Sequence, residues 1–166
     1  LGVVVGAVLV AGRWPVVRRL ALVVTLAAAV SALPVRLLTT GWPPPGWLAV
    51  ACDVGQGDAV VFPAGARSGV VVDAGPEPAA VDRCLRRLEI TTITLLVVSH
   101  FHVDHVGGVA GVFRGRAVGG VVTTDHPEPV AGREAVREAA SGAGAPVTTA
   151  GPAWVATAGR LRMSAL

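Results

Sequence analysis

The chain has 166 residues, a length that fits one domain of ordinary size. Its hydrophobic fraction of 52% is higher than a plain soluble domain needs, which predicts that part of the chain lies in a membrane. The net charge of +3 comes from the first 40 residues, where the arginines face no acids, and the remainder is nearly neutral. Overall charge alone therefore gives no reason to infer nucleic-acid binding.

Two uncharged apolar runs open the chain. The first run predicts the end of one apolar helix at residues 1–11. The second run predicts another helix at residues 20–35, which is roughly 24 Å long at about 1.5 Å per residue. We therefore expect one or two transmembrane helices within residues 1–40, with tryptophans on either side of the second run at the membrane interfaces. Because the chain begins with Leu1 inside an apolar run, we expect it to be a piece of a longer protein.

A secretory signal peptide is the alternative interpretation of the second run, since arginines precede it and small residues end it. The earlier apolar run argues against that alternative. If both runs span the membrane, the arginine-rich loop between them favours the cytoplasmic side. The part of the chain that follows would then lie outside the cell.

The rest of the chain reads as a mixed α/β domain. Three consecutive prolines make residues 41–46 a stiff, non-helical linker, so we expect the domain to occupy residues 47–166. Hydrophobic periodicity and turn residues predict the elements in chain order. They are an antiparallel meander of strands at 48–53, 58–62 and 69–73, a helix at 79–88, a strand at 93–99, a helix at 106–113, a strand at 118–123, a helix at 130–140, a strand at 146–149 and two short strands within 154–163.

The two cysteines, Cys52 and Cys84, are too few for a disulfide framework, and their spacing is not that of a cysteine-based zinc site. We therefore do not expect a disulfide between them. The helix at 79–88 places Cys84 on its apolar face and its arginines on the other, which we interpret as a solvated face.

Three of the four histidines lie within residues 100–105, directly after the buried strand. His100 and His102 can project side by side, while Asp104 and His105 come round the following turn. Imidazole nitrogens suit a metal such as zinc, and a carboxylate suits a second ion beside it. The sequence therefore predicts a metal centre that could activate water, whereas the alternative is a set of loop histidines that only form hydrogen bonds.

The pattern His, any, His, any, Asp, His after an apolar strand resembles the signature of the metallo-β-lactamase superfamily. The resemblance implies an αββα fold, of which this chain holds the N-terminal half, and two divalent ions, most simply zinc, with manganese as an alternative. His100 and His102 would bind the first ion, and Asp104 and His105 the second. Asp73, at the end of an earlier strand, matches the aspartate that supports such sites, so the resemblance implies catalytic roles for Asp73 and Asp104.

A second motif, Asp-Val-Gly-Gln-Gly-Asp-Ala at residues 53–59, contributes Asp53, Gln56 and Asp58. Its glycines permit a tight hairpin turn. The motif resembles the start of the corresponding domain in ComEC-type competence proteins, which also follows a transmembrane bundle and a proline-rich linker. That resemblance implies a membrane-anchored hydrolase of a DNA-uptake channel, acting on phosphodiester bonds, with DNA and other uptake proteins as partners. The alternatives are a non-catalytic channel module and a hydrolase of a small ester or amide.

The sequence departs from the superfamily pattern in its second half. We recognise neither a bridging aspartate nor a final histidine ligand, and His126 reads as a solvated loop residue. We therefore expect the chain to be incomplete as a catalyst. Arg114 and Arg116 follow the histidine motif, and we interpret them as solvated rather than as contacts to a phosphate backbone.

Overall fold

The computed structural model describes residues 14–38 and 41–165. The chain divides into two compact units, Leu1–Pro44 and Pro45–Leu166. In the first unit, helix α1 (Pro15–Leu38) begins with a proline in its first turn, where the missing N–H costs nothing. The predicted helix at 20–35 lies within α1, and the apolar run 1–11 lies outside the described residues. No helix in residues 14–38 and 41–165, however, is long and apolar enough to cross a membrane.

The second unit is built on a mixed sheet of seven strands with the order β1-β2-β3-β4-β6-β7, in which β5 also pairs with β4. Strands β1 to β3 form the predicted antiparallel meander, whereas β4 is parallel to β3 and β6, and β7 is parallel to β6. A separate hairpin, β8–β9, confirms the two short strands predicted near the end. The strands are β1 (Val50–Ala51), β2 (Val60–Gly65), β3 (Ser68–Val72), β4 (Thr92–Val98), β5 (Ala117–Val118), β6 (Val121–Thr123), β7 (Val147–Thr149), β8 (Val155–Ala158) and β9 (Leu161–Ser164).

Four helices connect these strands, and their bounds are α2 (Pro78–Arg87), α3 (Val103–Val106), α4 (Val109–Phe113) and α5 (Val130–Gly142). The single helix predicted at 106–113 was wrong, because the chain turns at Gly107 and Gly108 between two short helices. A Cβ at Gly108 would lie 2.1 Å from the carbonyl oxygen of Ala74. This close approach of two backbones is possible only because position 108 has no side chain.

The core lies between the sheet and the helices packed on it. Val81 and Leu85 of α2 and Ile93 and Leu96 of β4 are fully buried. Burial of each such side chain contributes about 1.5–3 kcal/mol relative to exposure. The apolar run of β4 and the one-sided apolar face of α2 therefore explain why the predicted elements form and why they meet.

Cys52 and Cys84 form a disulfide, so the expectation of free thiols was wrong. Their Cα atoms are 5.8 Å apart, within the range that a disulfide bridges without distortion. The bond joins the residue that follows β1 to the buried side of α2. The sequence gives no sign of this pairing, because it is the packing of α2 that brings two residues 32 positions apart together.

The interpretation of Arg116 as a solvated residue was also wrong. Its side chain is only 3% exposed and pairs with the buried carboxylate of Asp82 at 2.9 Å. It also donates to the carbonyl oxygens of Ile90 and Gly111, each at 3.0 Å. Arg114 is 53% exposed and reaches the same aspartate at 3.4 Å. Both arginines therefore take part in an ion-pair network on α2.

Candidate metal centre

Two adjacent parallel strands bring the predicted site residues to one edge of the sheet. Strands β3 and β4 pair in parallel, with Val72 opposite Val97, so both end at the same edge. Asp73 directly follows β3, and Ser99 and His100 directly follow β4. Ligand sites of open α/β sheets lie at this carboxyl edge of the strands. The topology therefore accounts for the meeting of Asp73 with the histidine motif.

The histidine motif gathers three metal-ligating side chains. Ligand atoms of His100, Asp104 and His105 all lie within 4.8 Å of one another, and the three side chains are half-buried. Nε2 of His105 is 3.6 Å from Oδ2 of Asp104, and the rings of His100 and His105 have centroids 4.0 Å apart. Two imidazoles and a carboxylate form a donor set that suits zinc or manganese. The residues present therefore fit a divalent ion.

Asp73 positions His105 from beneath the cluster. Its side chain is buried and its φ of 57° is left-handed, a conformation that aspartate tolerates better than most residues. Oδ2 of Asp73 lies 3.0 Å from Nδ1 of His105. Because an ionised carboxylate only accepts, the hydrogen-bond network assigns the proton to Nδ1 and leaves Nε2 of His105 free to bind a metal. Asp73 is thus a positioning residue.

Ser99 extends this network to the other histidine, and the sequence reasoning overlooked it. Its backbone N–H donates to Oδ1 of Asp73 at 2.8 Å, and its hydroxyl donates to Oδ2 at 2.6 Å. The same hydroxyl is 3.0 Å from Nδ1 of His100. Since the hydroxyl proton is used by Asp73, its oxygen accepts from Nδ1, which leaves Nε2 of His100 as the free ligand atom. A hydroxyl between the strand and the first histidine was the available signal.

The loop at residues 53–58 packs directly against the metal-binding loop. A Cβ at Gly57 would lie 1.9 Å from the carbonyl oxygen of Asp104, and the φ of Gly57 is +104°. Oδ2 of Asp58 is 3.9 Å from Nδ1 of His105, with the Asp58 side chain 70% exposed. Asp53 and Gln56 are exposed, and neither belongs to the donor cluster. The predicted motif therefore acts mainly through its backbone, with Asp58 as the side chain nearest the site.

Helix α5 closes the other side of the metal-binding loop. A Cβ at Gly132, in the first turn of α5, would lie 1.9 Å from the carbonyl oxygen of Phe101. The side chain of Phe101 is only 2% exposed and anchors the loop in the core. The histidine motif is thus held between two glycines, Gly57 and Gly132, that allow close backbone approach.

The remaining two histidines lie outside the cluster. His102 is exposed and precedes α3 in an extended conformation, and its ring centroid is 5.0 Å from that of His100. Its nitrogens are not among the three converging ligand atoms, so its predicted role in the first metal site stays a prediction. His126 is exposed in the loop after β6, as the sequence indicated. Within the part of the chain that the structure describes, no second cluster of this kind occurs.

A family model described as the metallo-beta-lactamase superfamily matches residues 52–162. Among solved structures, the chain is similar to the BLEG-1 B3 metallo-beta-lactamase, with 24% identity, a TM-score of 0.49 and coverage of 70% of this chain and 59% of that one. The Rm3 metallo-beta-lactamase is 18% identical with a TM-score of 0.47, and the match covers 70% of this chain and 47% of that one. A metallo-beta-lactamase from Hirschia baltica is 16% identical with a TM-score of 0.38, and the match covers 65% of this chain and 50% of that one. The chain thus spans less than two thirds of the length of each. No curated protein sequence matches it.

Proposed function

Because the chain belongs to the metallo-beta-lactamase superfamily, we propose that it is the metal-dependent hydrolase domain of a DNA-uptake protein, acting on phosphodiester bonds. One observation carries the hydrolase part of this proposal. The ligand atoms of His100, Asp104 and His105 converge within 4.8 Å at the carboxyl edge of the sheet. Asp73 and Ser99 hold the two imidazoles so that each presents Nε2.

The residues divide into ligands and supports. His100, Asp104 and His105 would hold a divalent ion, zinc or manganese. With two ions bound, His102 would join His100 at the first of them if its side chain turned inward. Such an ion supplies Lewis-acid polarisation of the scissile group and activation of water. Asp73 fixes the tautomer of His105, and the orientation of metal-bound imidazoles by such partners raises metal affinity.

The loop at residues 53–58 supports DNA as the substrate. The resemblance to competence proteins rests on this motif, and its Gly57 lies against Asp104 of the donor cluster. A motif that packs on the metal-binding loop is placed to influence which substrate reaches it. DNA and other proteins of the uptake machinery are accordingly the partners that we propose.

Metal content and DNA cleavage test this proposal together. We expect the purified full chain to bind zinc or manganese by elemental analysis, His105→Ala to lose it, and the exposed-loop variant His126→Ala to retain it. An extended chain that supplies the downstream ligands missing here should, when loaded with metal, cleave a labelled single-stranded oligonucleotide, and its His105→Ala variant should not. Metal binding without cleavage of any ester would favour a non-catalytic channel module. Cleavage of a small ester or amide but not of DNA would favour a hydrolase of small substrates.

We also propose that the chain is attached to a membrane, with the Pro45–Leu166 unit outside the cell. Helix α1 supports attachment, since Leu22 is 69% exposed and Val24 and Leu26 are each 66% exposed. Large apolar side chains exposed on opposite sides of one helix need a non-aqueous environment or a partner. Carbonate-washed membranes should retain the full chain and release the double variant Leu22→Glu/Val24→Glu. The control Leu48→Glu, at an 84% exposed position outside α1, should remain bound.

A further inference from the structure

A basic pocket lies at the edge of the sheet opposite the metal centre. It has a volume of about 420 Å³ and is lined by Arg67, Arg86, Arg114 and Arg116 together with Glu89 and Thr91. We propose that this pocket binds a compact, multiply charged oxyanion of the phosphate class, such as pyrophosphate or the phosphate group of a small molecule. This site does not depend on the proposed DNA cleavage.

Three of these arginines converge on a single buried carboxylate. Arg86 and Arg114 both contact Oδ2 of Asp82, the latter at 3.4 Å, and Arg116 contacts Oδ1 at 2.9 Å. Asp82 balances one of the three charges. With Arg67 and Glu89 included, four arginines face two carboxylates around the pocket, which leaves an excess of two positive charges. Guanidinium groups held this close to one another repel, and a bound anion would relieve that repulsion.

The shared carboxylate also prepares the arginines for binding. Arg116 is buried and its donors are used by Asp82 and by backbone carbonyl groups, so it serves as a support. Arg86 and Arg114 are 65% and 53% exposed and keep N–H groups that no described hydrogen bond uses. Because Asp82 already restricts both side chains, they lose less conformational entropy when a ligand binds. Fixed guanidinium forks match the oxygens of phosphate.

The pocket is too far from the histidines to hold a phosphate that reacts there. Thr91 lines the pocket just before β4, and His100 follows the other end of that strand. Seven strand residues at about 3.3 Å each separate the two sites by roughly 20 Å. The basic pocket is therefore a separate binding site.

Its shape favours a small anion over a nucleic-acid strand. Proteins that bind a long backbone present a positive groove or stripe that follows several phosphates. Here four arginines line one concavity. Its volume is in the range of small-molecule sites, about 300–1,000 Å³. A compact phosphate compound fits this arrangement best.

Calorimetric titration of the full chain with pyrophosphate tests the proposal. The protein is first dialysed against a chelator, so that no metal at the histidine cluster contributes to binding. We expect saturable binding that weakens about tenfold in Arg86→Gln and in Arg114→Gln, because each removes a charge-assisted hydrogen bond. Arg83→Gln, an exposed position on α2 outside the pocket, should bind as the unaltered chain does.

Chemical-shift mapping of the unaltered chain keeps the test decisive if a variant fails to fold. Pyrophosphate should shift the backbone amides of Thr91, Arg114 and Gly115 and leave those of His100 and His105 in place. The proposal is overturned if no saturable binding occurs below about 10 mM, or if binding is unchanged in both variants. It is also overturned if a single-stranded oligonucleotide binds these residues more tightly than pyrophosphate does, since the pocket would then belong to a polymer surface.

Discussion

The carboxylate of Asp73 accepts a hydrogen bond from Nδ1 of His105 at 3.0 Å, across two parallel strands that end at the same edge of the sheet. This bond decides which nitrogen of His105 can bind a metal. The same carboxylate accepts from the backbone N–H and hydroxyl of Ser99, which in turn contacts His100. One buried aspartate thus orients both histidines of the donor cluster.

Replacement of this aspartate by asparagine should weaken metal binding without unfolding the protein. In Asp73→Asn, an amide group that keeps its oxygen on the N–H of Ser99 presents its NH₂ group to His105. Nδ1 would then accept, and the proton would move to Nε2, the ligand atom. We expect metal affinity to fall about 10–100-fold by calorimetry with zinc. Asparagine tolerates the left-handed backbone of position 73, so the fold should persist.

The matched control for this experiment is Asp53→Asn, which neutralises an exposed aspartate outside the cluster. It should leave zinc affinity unchanged. Equal affinities of Asp73→Asn and the unaltered chain would show that Asp73 does not set the tautomer of His105.

Alanine variants of two neighbouring glycines should distinguish the effect of backbone strain from the effect of contact with the metal-binding loop. Gly55 and Gly57 both have positive φ, +81° and +104°, so alanine is strained at either position. A Cβ at Gly55 meets nothing within 4 Å, whereas one at Gly57 would lie 1.9 Å from the carbonyl oxygen of Asp104. We expect Gly55→Ala to cost about 1 kcal/mol of unfolding free energy by urea denaturation. Gly57→Ala should cost more and should also weaken zinc binding, since Asp104 must move.

The comparison between the two variants decides the role of the 53–58 loop. Similar losses of stability, with zinc affinity unchanged in both, would mean that the loop does not position Asp104.

The sequence predicts the metal centre best where the site residues lie close together along the chain. The histidine motif directly follows the apolar strand β4, so strand prediction and motif spacing together place His100, Asp104 and His105 at a strand end. Asp73 needed the parallel pairing of β3 with β4, which the sequence only implied through the family resemblance. The role of Ser99 was overlooked because its position between the strand and His100 was the only signal, and a single hydroxyl has no characteristic spacing.

The sequence was less informative wherever distant residues meet. The disulfide joins residues 32 apart, and the bond between Asp82 and Arg116 joins residues 34 apart. No local pattern encodes either contact. An arginine in a connecting segment is usually solvated, so the burial of Arg116 becomes visible only once α2 and the segment after α4 pack together. The break between α3 and α4 likewise follows from the approach of Ala74 to Gly108.

Reduction of the disulfide should destabilise the protein. The bond between Cys52 and Cys84 closes a loop across 32 positions. This restricts the unfolded chain and contributes about 4 kcal/mol from loop entropy. Thermal unfolding followed by circular dichroism should therefore shift to lower temperature when dithiothreitol is added. The double variant Cys52→Ser/Cys84→Ser should unfold at the lower temperature with or without reductant. An unaltered chain insensitive to reductant would contradict this expectation.

Acid should destabilise the protein through Asp82. The hydrogen bond from Arg86, reinforced by Arg116 and opposed by burial, lowers the pKa of Asp82 from 3.8 to about 2. A carboxylate whose pKa is lower in the folded than in the unfolded state stabilises the folded protein. This stabilisation is complete at a pH above the unfolded-state pKa and is lost as the pH falls through the folded-state pKa. The free energy of unfolding should therefore drop by about 2 kcal/mol between pH 4 and pH 2 on account of this group.

The variant Asp82→Asn isolates this contribution. It leaves the buried guanidinium of Arg116 without its carboxylate, so unfolding free energy at pH 7 should fall by about 3 kcal/mol in urea titrations. Because asparagine does not titrate, the variant should also lose the part of the acid response between pH 4 and pH 2 that Asp82 supplies. Asp125→Asn, at an exposed position, should keep both the stability and the pH response of the unaltered chain. An acid response in Asp82→Asn as steep as that of the unaltered chain would show that other carboxylates cause it, and that the three arginines do not depend on an ionised Asp82.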